Sequence, residues 1–390
     1  MGPATREAQL TPKPIRVELL CKVVDNLGDA GVCARLTRQL ADEHGCSVRL
    51  WTDQPELLSR FLSSPSIVTP AQAGVHGQAV MDTGFRRYDE SIEILLWPTP
   101  FPLLPTPGDM VIEAFACGTP PELIAAMKAA PVPPLWVNLE YLSAEEWVDD
   151  CHSKISLHPS GLKQVFFFPG FTDRTGGLLR EQSLLAEREA FDPRLFWQSL
   201  NVPDISGELR ISLFCYPTAP VEDLIDGLAA AHRPIRLLYP EGLFSTLKSK
   251  DQVVVQPFSF LPQPAFDRLL WASDLNFVRG EDSLVRGCWA AKPLIWQIYK
   301  QDDNAHLRKL EAFLGRLRPF LSAEAAETLA LAHQVWNLPA RDSSAVWQRL
   351  LGQLPDIMAA AKAWARQLAA RKDLACQLLQ LTQDPKEVQS

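Results

Sequence analysis

The chain alternates short apolar runs with longer stretches whose apolar residues recur at helical spacing, and this rhythm organises it from Ile15 onward. "IRVELLCKVV" reads as a strand, "DNLGDAG" as a tight glycine turn, and "VCARLTRQLADEHG" as a helix that begins near Gly31 and stops at Gly45. Further strands are predicted at "SVRLWT", "IEILLW", "DMVIEAFA", "PLWVNLE" and "QVFFFPGF". The same grammar restarts near Glu208. Strands at "LRISLFCY", "IRLLYP", "VVVQPF", "LNFVRG" and "PLIWQIY" alternate there with helical segments such as "PVEDLIDGLAAAH" and "QPAFDRLLWASD". Helices dominate after Ala323, the last expected over about Pro355 to Leu381.

Such alternation builds mostly parallel sheets covered by helices. A chain of 390 residues is long enough for two cores. It divides into a Rossmann-like unit over 15–190, a second over 205–365, and a helix and tail over 366–390 that can cross back to the first, with the break near Phe191 to Ile205. Two Rossmann-like units facing a central cleft make an α/β fold of the GT-B type, with ligands at the carboxyl ends of the strands. One segment interrupts the rhythm. "VTPAQAGVHGQAVMDTGFRRYDE", Val68 to Glu90, resembles the translated product of dispersed bacterial genomic repeats and reads as a tolerated surface insertion.

Charge and cysteine usage remove several function classes. A net charge of −8 lacks the dense basic face that a nucleic-acid surface requires. No apolar run is long enough to span a bilayer, and Met1 to Pro14 carries no signal-like segment, so a cytoplasmic location without membrane association is expected. The eight cysteines are scattered, with no Cys-x-x-Cys pair and no Cys/His cluster at zinc spacing along the chain. The histidines do not join a Ser or Cys nucleophile motif, and His306 reads as a helix-face residue.

Two loops hold the candidate chemistry. In "DNLGDAG", Asp25 and Asp29 would repel a phosphate, so the loop is better suited to a cation, a guanidinium above all, whose planar donors match carboxylates. The plainer reading is that Asp29 caps the following helix. In "FVRGEDSLVRG", strand, glycine and helix start follow one another. The N–H groups near Asp282 and Ser283, the Ser283 hydroxyl and Arg279 could receive a diphosphate. A capped helix with a surface Arg279–Glu281 pair is the alternative. Tyr299 could add a hydroxyl, and Tyr216, Phe260 and Gln263 could receive a pyrimidine, although for these the residues alone favour ordinary packing.

"CKVVDNLGDAGVCARL", "VIEAFACGTP", "VNLEYLSAEEW", "FFFPGFTDRTGGLLRE", "FLPQPAFDRLL" and "VRGEDSLVRGCWAAKPLIWQIYKQDDNAH" together resemble the bacterial protein-arginine rhamnosyltransferases that modify elongation factor P. The likeness spans most of the chain in unbroken order. It implies a GT-B enzyme that inverts the sugar carbon, with dTDP-β-L-rhamnose as co-substrate and no metal or other cofactor. Its protein partner would be elongation factor P, activated through one arginine for rescue of ribosomes stalled at polyproline. By the same resemblance Asp29 is the catalytic carboxylate, Asp25 grips the acceptor guanidinium, and Glu281 is a further essential acid. Arg279, Gly280, Asp282, Ser283 and Tyr299 attend the diphosphate, and Tyr216, Phe260 and Gln263 the thymine nucleoside. The residues themselves leave two alternatives standing, a GT-B transferase with another acceptor and an inactive nucleotide-binding scaffold.

Overall fold

A computed structural model describes residues 13–62, 66–68, 91–104, 106–300, 305–338 and 343–383. The segment Val68 to Glu90 lies, apart from Val68, outside the described residues. The strands are β1 (Arg16–Cys21), β2 (Ser47–Thr52), β3 (Ser66–Val68), β4 (Ile92–Leu96), β5 (Met110–Ala114), β6 (Leu135–Leu139), β7 (Ile155–Leu157), β8 (Lys163–Phe167), β9 (Leu209–Leu213), β10 (Ile235–Pro240), β11 (Val253–Phe258), β12 (Leu275–Arg279) and β13 (Leu294–Gln297). They form two sheets, ordered β3-β4-β2-β1-β5-β6-β8-β7 and β11-β10-β9-β12-β13. All neighbours run parallel except the β7–β8 pair. This is the GT-B arrangement, an α/β fold with two parallel sheets.

Continuous apolar runs become inner strands because helices cover both faces of such sheets. Every residue of β5 is buried, as is all of β1 after Arg16. The short strands β3 and β7, at the two ends of the first sheet, are additions to the expected set. The strand order reverses between β1 and β5 in one sheet and between β9 and β12 in the other. At such a reversal the loops diverge and leave a crevice beyond the carboxyl ends of the strands.

Two helical expectations need correction. The first helix spans Asn26–Asp42 and so starts ahead of Gly31, with Asp25 as its N-cap residue. The predicted helix from Pro355 to Leu381 is in fact the latter part of one helix, Ser344–Ala369, followed by a separate one, Leu374–Gln383. Pro355 removes one backbone donor inside the longer helix. Its buried stripe of Trp347, Leu350, Leu354, Ile357, Ala361 and Trp364 nevertheless continues across that position, and burial outweighs the local cost. The final helix returns to the first sheet, where Leu374, Ala375, Leu378 and Leu379 join its core. No helix among the described residues is long and apolar enough to cross a membrane.

The two sheet layers meet through a buried group of charges. Arg35 of the first helix reaches Asp267 (3.0 Å), Asp282 (2.8 Å) and Glu181 (3.2 Å). Arg286 shares two of these acids, at 2.7 Å to Asp267 and 2.6 Å to Glu181. Both guanidiniums are almost fully buried, at 2% and 1% side-chain exposure. Their charges hold Glu181 down at about 2 against the effect of burial. Removing one member strands the others in a medium of low polarity. Arg35→Met is therefore expected to lower stability by about 3–5 kcal/mol, read from urea unfolding, and a loss below about 1 kcal/mol would show that the network does not hold the layers together.

Candidate active site

Every candidate in the cleft lies at or just past the carboxyl end of a parallel strand or starts the helix after it, Arg279 being the last residue of β12. Asp25 and Asp29 follow β1, Tyr216 follows β9, Phe260 and Gln263 follow β11, Gly280 to Ser283 follow β12, and Tyr299 follows β13. Asp25, Asp29, Gly280, Glu281 and Tyr299 line one cavity of about 190 Å³. Phe260, Gln263, Arg279, Asp282 and Ser283 line another of about 260 Å³, and Asp25 borders both.

Asp29 is 3% exposed, and its Oδ2 accepts from the backbone N–H groups of Val24 and Asp25, each at 2.9 Å. The carboxylate thus ties down the loop that carries its neighbour, from within the first turn of the helix and not from the cap position. Asp25 Oδ2 instead accepts from the Tyr216 hydroxyl at 2.8 Å, a bond between the two sheet layers. Gly280 makes this approach possible. It has a φ of +56°, and an added Cβ would stand 2.7 Å from Asp25 Oδ2. Gly31, expected to loosen a tight turn, lies inside the helix, where a Cβ would come within 2.9 Å of Asp282 Oδ2.

Burial is the largest influence on all three acids of the first cavity and raises each of them. For Asp25 the Tyr216 bond and the Arg279 charge oppose it, while Asp29 adds to it. For Asp29 the two backbone N–H groups oppose it. Glu281 is pushed up to about 8, because the Leu142 N–H (2.9 Å) and the Lys309 charge offset only part of its desolvation. Three acids crowded together in this way would each be returned towards ionisation by a cation placed among them.

The second cavity is mixed in charge and rich in aromatic rings, with Arg60 and Arg279 set among Asp25, Glu241 and Asp282. The Arg279 guanidinium lies 4.8 Å from the ring centres of both Phe214 and Tyr216, in place of the surface pair with Glu281. Arg60 lies 4.6 Å from the Phe260 ring, which is 45% exposed. Gln263 is buried, donates to the Gly31 carbonyl at 3.0 Å, and keeps an Oε1 with no partner. An aromatic face, a cation and a buried unpaired amide oxygen suit a base with an N–H to offer.

Three candidates occupy positions that the sequence did not suggest. Ser283 turns into its own loop, donating to the Arg279 carbonyl and accepting the Arg279 N–H at 2.9 Å. Its hydroxyl must rotate before it can serve a phosphate. The Asp282 carboxylate is committed to Arg35, leaving the backbone N–H groups at the start of helix Asp282–Ala290 for an anion. Tyr216 stands at the junction of the layers, its ring centre 5.8 Å from that of Tyr299 in an edge-on contact, and not beside Phe260 and Gln263.

Sequence reasoning missed Lys309, Tyr141 and Phe115. Phe115 and Tyr141 stack at 4.6 Å and 18° in the wall of the acidic cavity, and Lys309 sits 5.9 Å from the Tyr141 ring. Phe115 and Tyr141 each fall just past a strand end, β5 and β6, which was the available signal. Lys309, on helix Ala305–Leu317, offered none.

A family model described as "Elongation-Factor P (EF-P) rhamnosyltransferase EarP" matches residues 17–383. The protein-arginine rhamnosyltransferase of Pseudomonas putida is 42% identical over 382 residues, covering 93% of this chain and 97% of that protein. The protein of the same name from Pseudomonas aeruginosa is 41% identical over 387 residues, covering 94% and 98%. A solved structure reported as the structural basis for EarP-mediated arginine glycosylation of translation elongation factor EF-P superposes with a TM-score of 0.63 at 31% identity, covering 95% of this chain and 99% of that one.

The raised acids set a pH dependence. Glu281 holds its proton in the folded chain up to about 8, whereas an unfolded Glu releases it near 4.5. Its contribution is complete below the unfolded value and is lost as pH rises towards 8. Glu281→Gln should therefore flatten the decline in urea stability between pH 5 and 8 (roughly the window that linkage gives), and an unchanged slope would contradict the assignment.

Proposed function

We propose that this chain, which belongs to the EF-P rhamnosyltransferase EarP family, transfers rhamnose from dTDP-β-L-rhamnose to one arginine side chain of elongation factor P, with inversion at the sugar carbon. The observation that carries the reading is the pairing of two unlike cavities across Asp25, one acidic and one aromatic with two arginines in its wall. The unit over 15–190 would present the acceptor side and the unit over 205–365 the donor side. Elongation factor P and the nucleotide sugar are the expected partners, in the cytoplasm.

Guanidinium is a poor nucleophile because its lone pairs are delocalised and its pKa exceeds about 12. Asp25 and Asp29 can hold it so that one nitrogen points at the anomeric carbon, and Asp29 can accept the proton as the new C–N bond forms. The bond to dTDP breaks in the same step. Negative charge then grows on the β-phosphate, close to the helix start at Asp282 and to Arg279, where fixed donors are most effective. Phe260 would stack on the thymine while Gln263 pairs with its edge. Protein groups supply the stabilisation that a divalent ion gives elsewhere, so no metal is needed for the chemistry.

Incubation with dTDP-β-L-rhamnose and elongation factor P from the same source, without added metal, should raise the intact mass of the acceptor by one deoxyhexose on arginine. Asp29→Asn should lower turnover by about 10²–10⁴-fold with dTDP affinity preserved in calorimetry. Strict dependence on an added divalent metal would overturn the metal-free scheme. No mass gain from a folded enzyme that binds dTDP would direct the search to another acceptor. Phe260→Ala should weaken dTDP by about 1–3 kcal/mol, and unchanged affinity would remove the thymine from that cavity.

A further inference from the structure

We propose that His44, Asp373 and Cys376 form a zinc(II) site that fastens the last helix onto the layer of the first sheet. His44 follows the first helix, and Asp373 and Cys376 begin the last, so the cluster joins elements separated by 332 positions. Spacing along the chain conceals it. One ligand atom from each residue lies within 4.8 Å of the others, and Cys376 Sγ is 3.9 Å from His44 Nε2. Imidazole, thiolate and carboxylate are all zinc ligands, and a three-ligand set leaves the fourth tetrahedral position to water. With metal bonds of 2.0–2.3 Å, ligand atoms around zinc lie roughly 3.3–3.8 Å apart. The cluster must close by about 1 Å, a shift within reach of half-exposed side chains.

The surroundings favour a cation. Asp373 Oδ1 is fixed by Gln39 Nε2 and by the Cys376 N–H, both at 3.0 Å, the kind of outer support that orients a metal ligand. The same Gln39 nitrogen also donates to Glu43 Oε2 at 3.0 Å, which brings a second carboxylate to the site. The nearby Arg180 guanidinium is spent on the backbone carbonyls of Ala369 and Arg371. An ordinary helix cap accounts for Asp373 Oδ1 but not for an imidazole and a thiol converging beside it. On binding, Cys376 loses its proton to solvent, and its thiolate and the Asp373 carboxylate balance the two charges of the ion.

The full-length chain, stripped with chelator and dialysed, should be titrated with cobalt(II) as the optical probe and zinc(II) as competitor. One equivalent of cobalt should produce a thiolate charge-transfer band that zinc abolishes. Cys376→Ser should lose that band, and His44→Ala should weaken binding by about tenfold or more. Asp373→Asn keeps a capping oxygen and should also weaken binding, so the test survives if another variant fails to fold. Zinc should raise the melting temperature of the wild type and not of Cys376→Ser. No band in the wild type, or an unchanged band in Cys376→Ser, would overturn the site. None of these readouts involves sugar transfer, so the site and the proposed reaction stand or fall separately.

Discussion

The buried ion network of Arg35, Arg286, Asp267, Asp282 and Glu181 is the constraint on which the cleft depends. Two separately folded sheets could meet at many angles, because apolar contact has no direction. Forked guanidinium bonds do have direction, and a buried charge that loses its partner is costly. Arg35 lies on the helix that starts with Asp25, and Asp282 starts the helix that follows Gly280. Joining them sets the acidic loop of one sheet against the helix start of the other. The bonds from Gln263 to Gly31, Tyr216 to Asp25 and Leu142 to Glu281 all cross the same boundary.

That geometry sets two unlike cavities side by side. One cavity collects three carboxylates with Lys309 as the cation, while its neighbour sets Arg60 and Arg279 with aromatic rings among Asp25, Glu241 and Asp282. On the proposed reaction the cationic acceptor and the anionic donor would meet at Asp25, which borders both cavities. The acids repel one another and resist ionisation when empty, and an arriving guanidinium relieves both costs. The same repulsion disfavours a phosphate in the acidic cavity, which adds selectivity by exclusion.

The sequence made the sheets legible because each strand was a compact apolar run bounded by turn residues. It also marked Asp25 and Asp29, since carboxylates in a glycine turn at a strand end are conspicuous, whereas Glu281 was singled out only by the family resemblance. Their pairing was not legible. Arg35 and Arg286 look like ordinary helix-surface residues, for helical periodicity says which face is polar and not what that face will meet. The orientation of Ser283 depends on a carbonyl in its own loop, and that of Tyr216 on a residue of the opposite layer. Tertiary burial also carried a helix through Pro355, where local rules favour a stop.

Glu281 shows how these levels connect. Its carboxyl sits at the start of a helix, where an ionised acid is ordinarily favoured by the exposed N–H groups. Burial among Asp25 and Asp29 outweighs that preference and raises it to about 8. Its described hydrogen bond comes from Leu142, on the opposite layer. Separation of the layers would trade that bond for water and return the group towards an ordinary carboxylic acid. Burial between the layers therefore favours the protonated form of the group. A guanidinium in the cavity reverses the balance, because a positive neighbour favours the ionised acid.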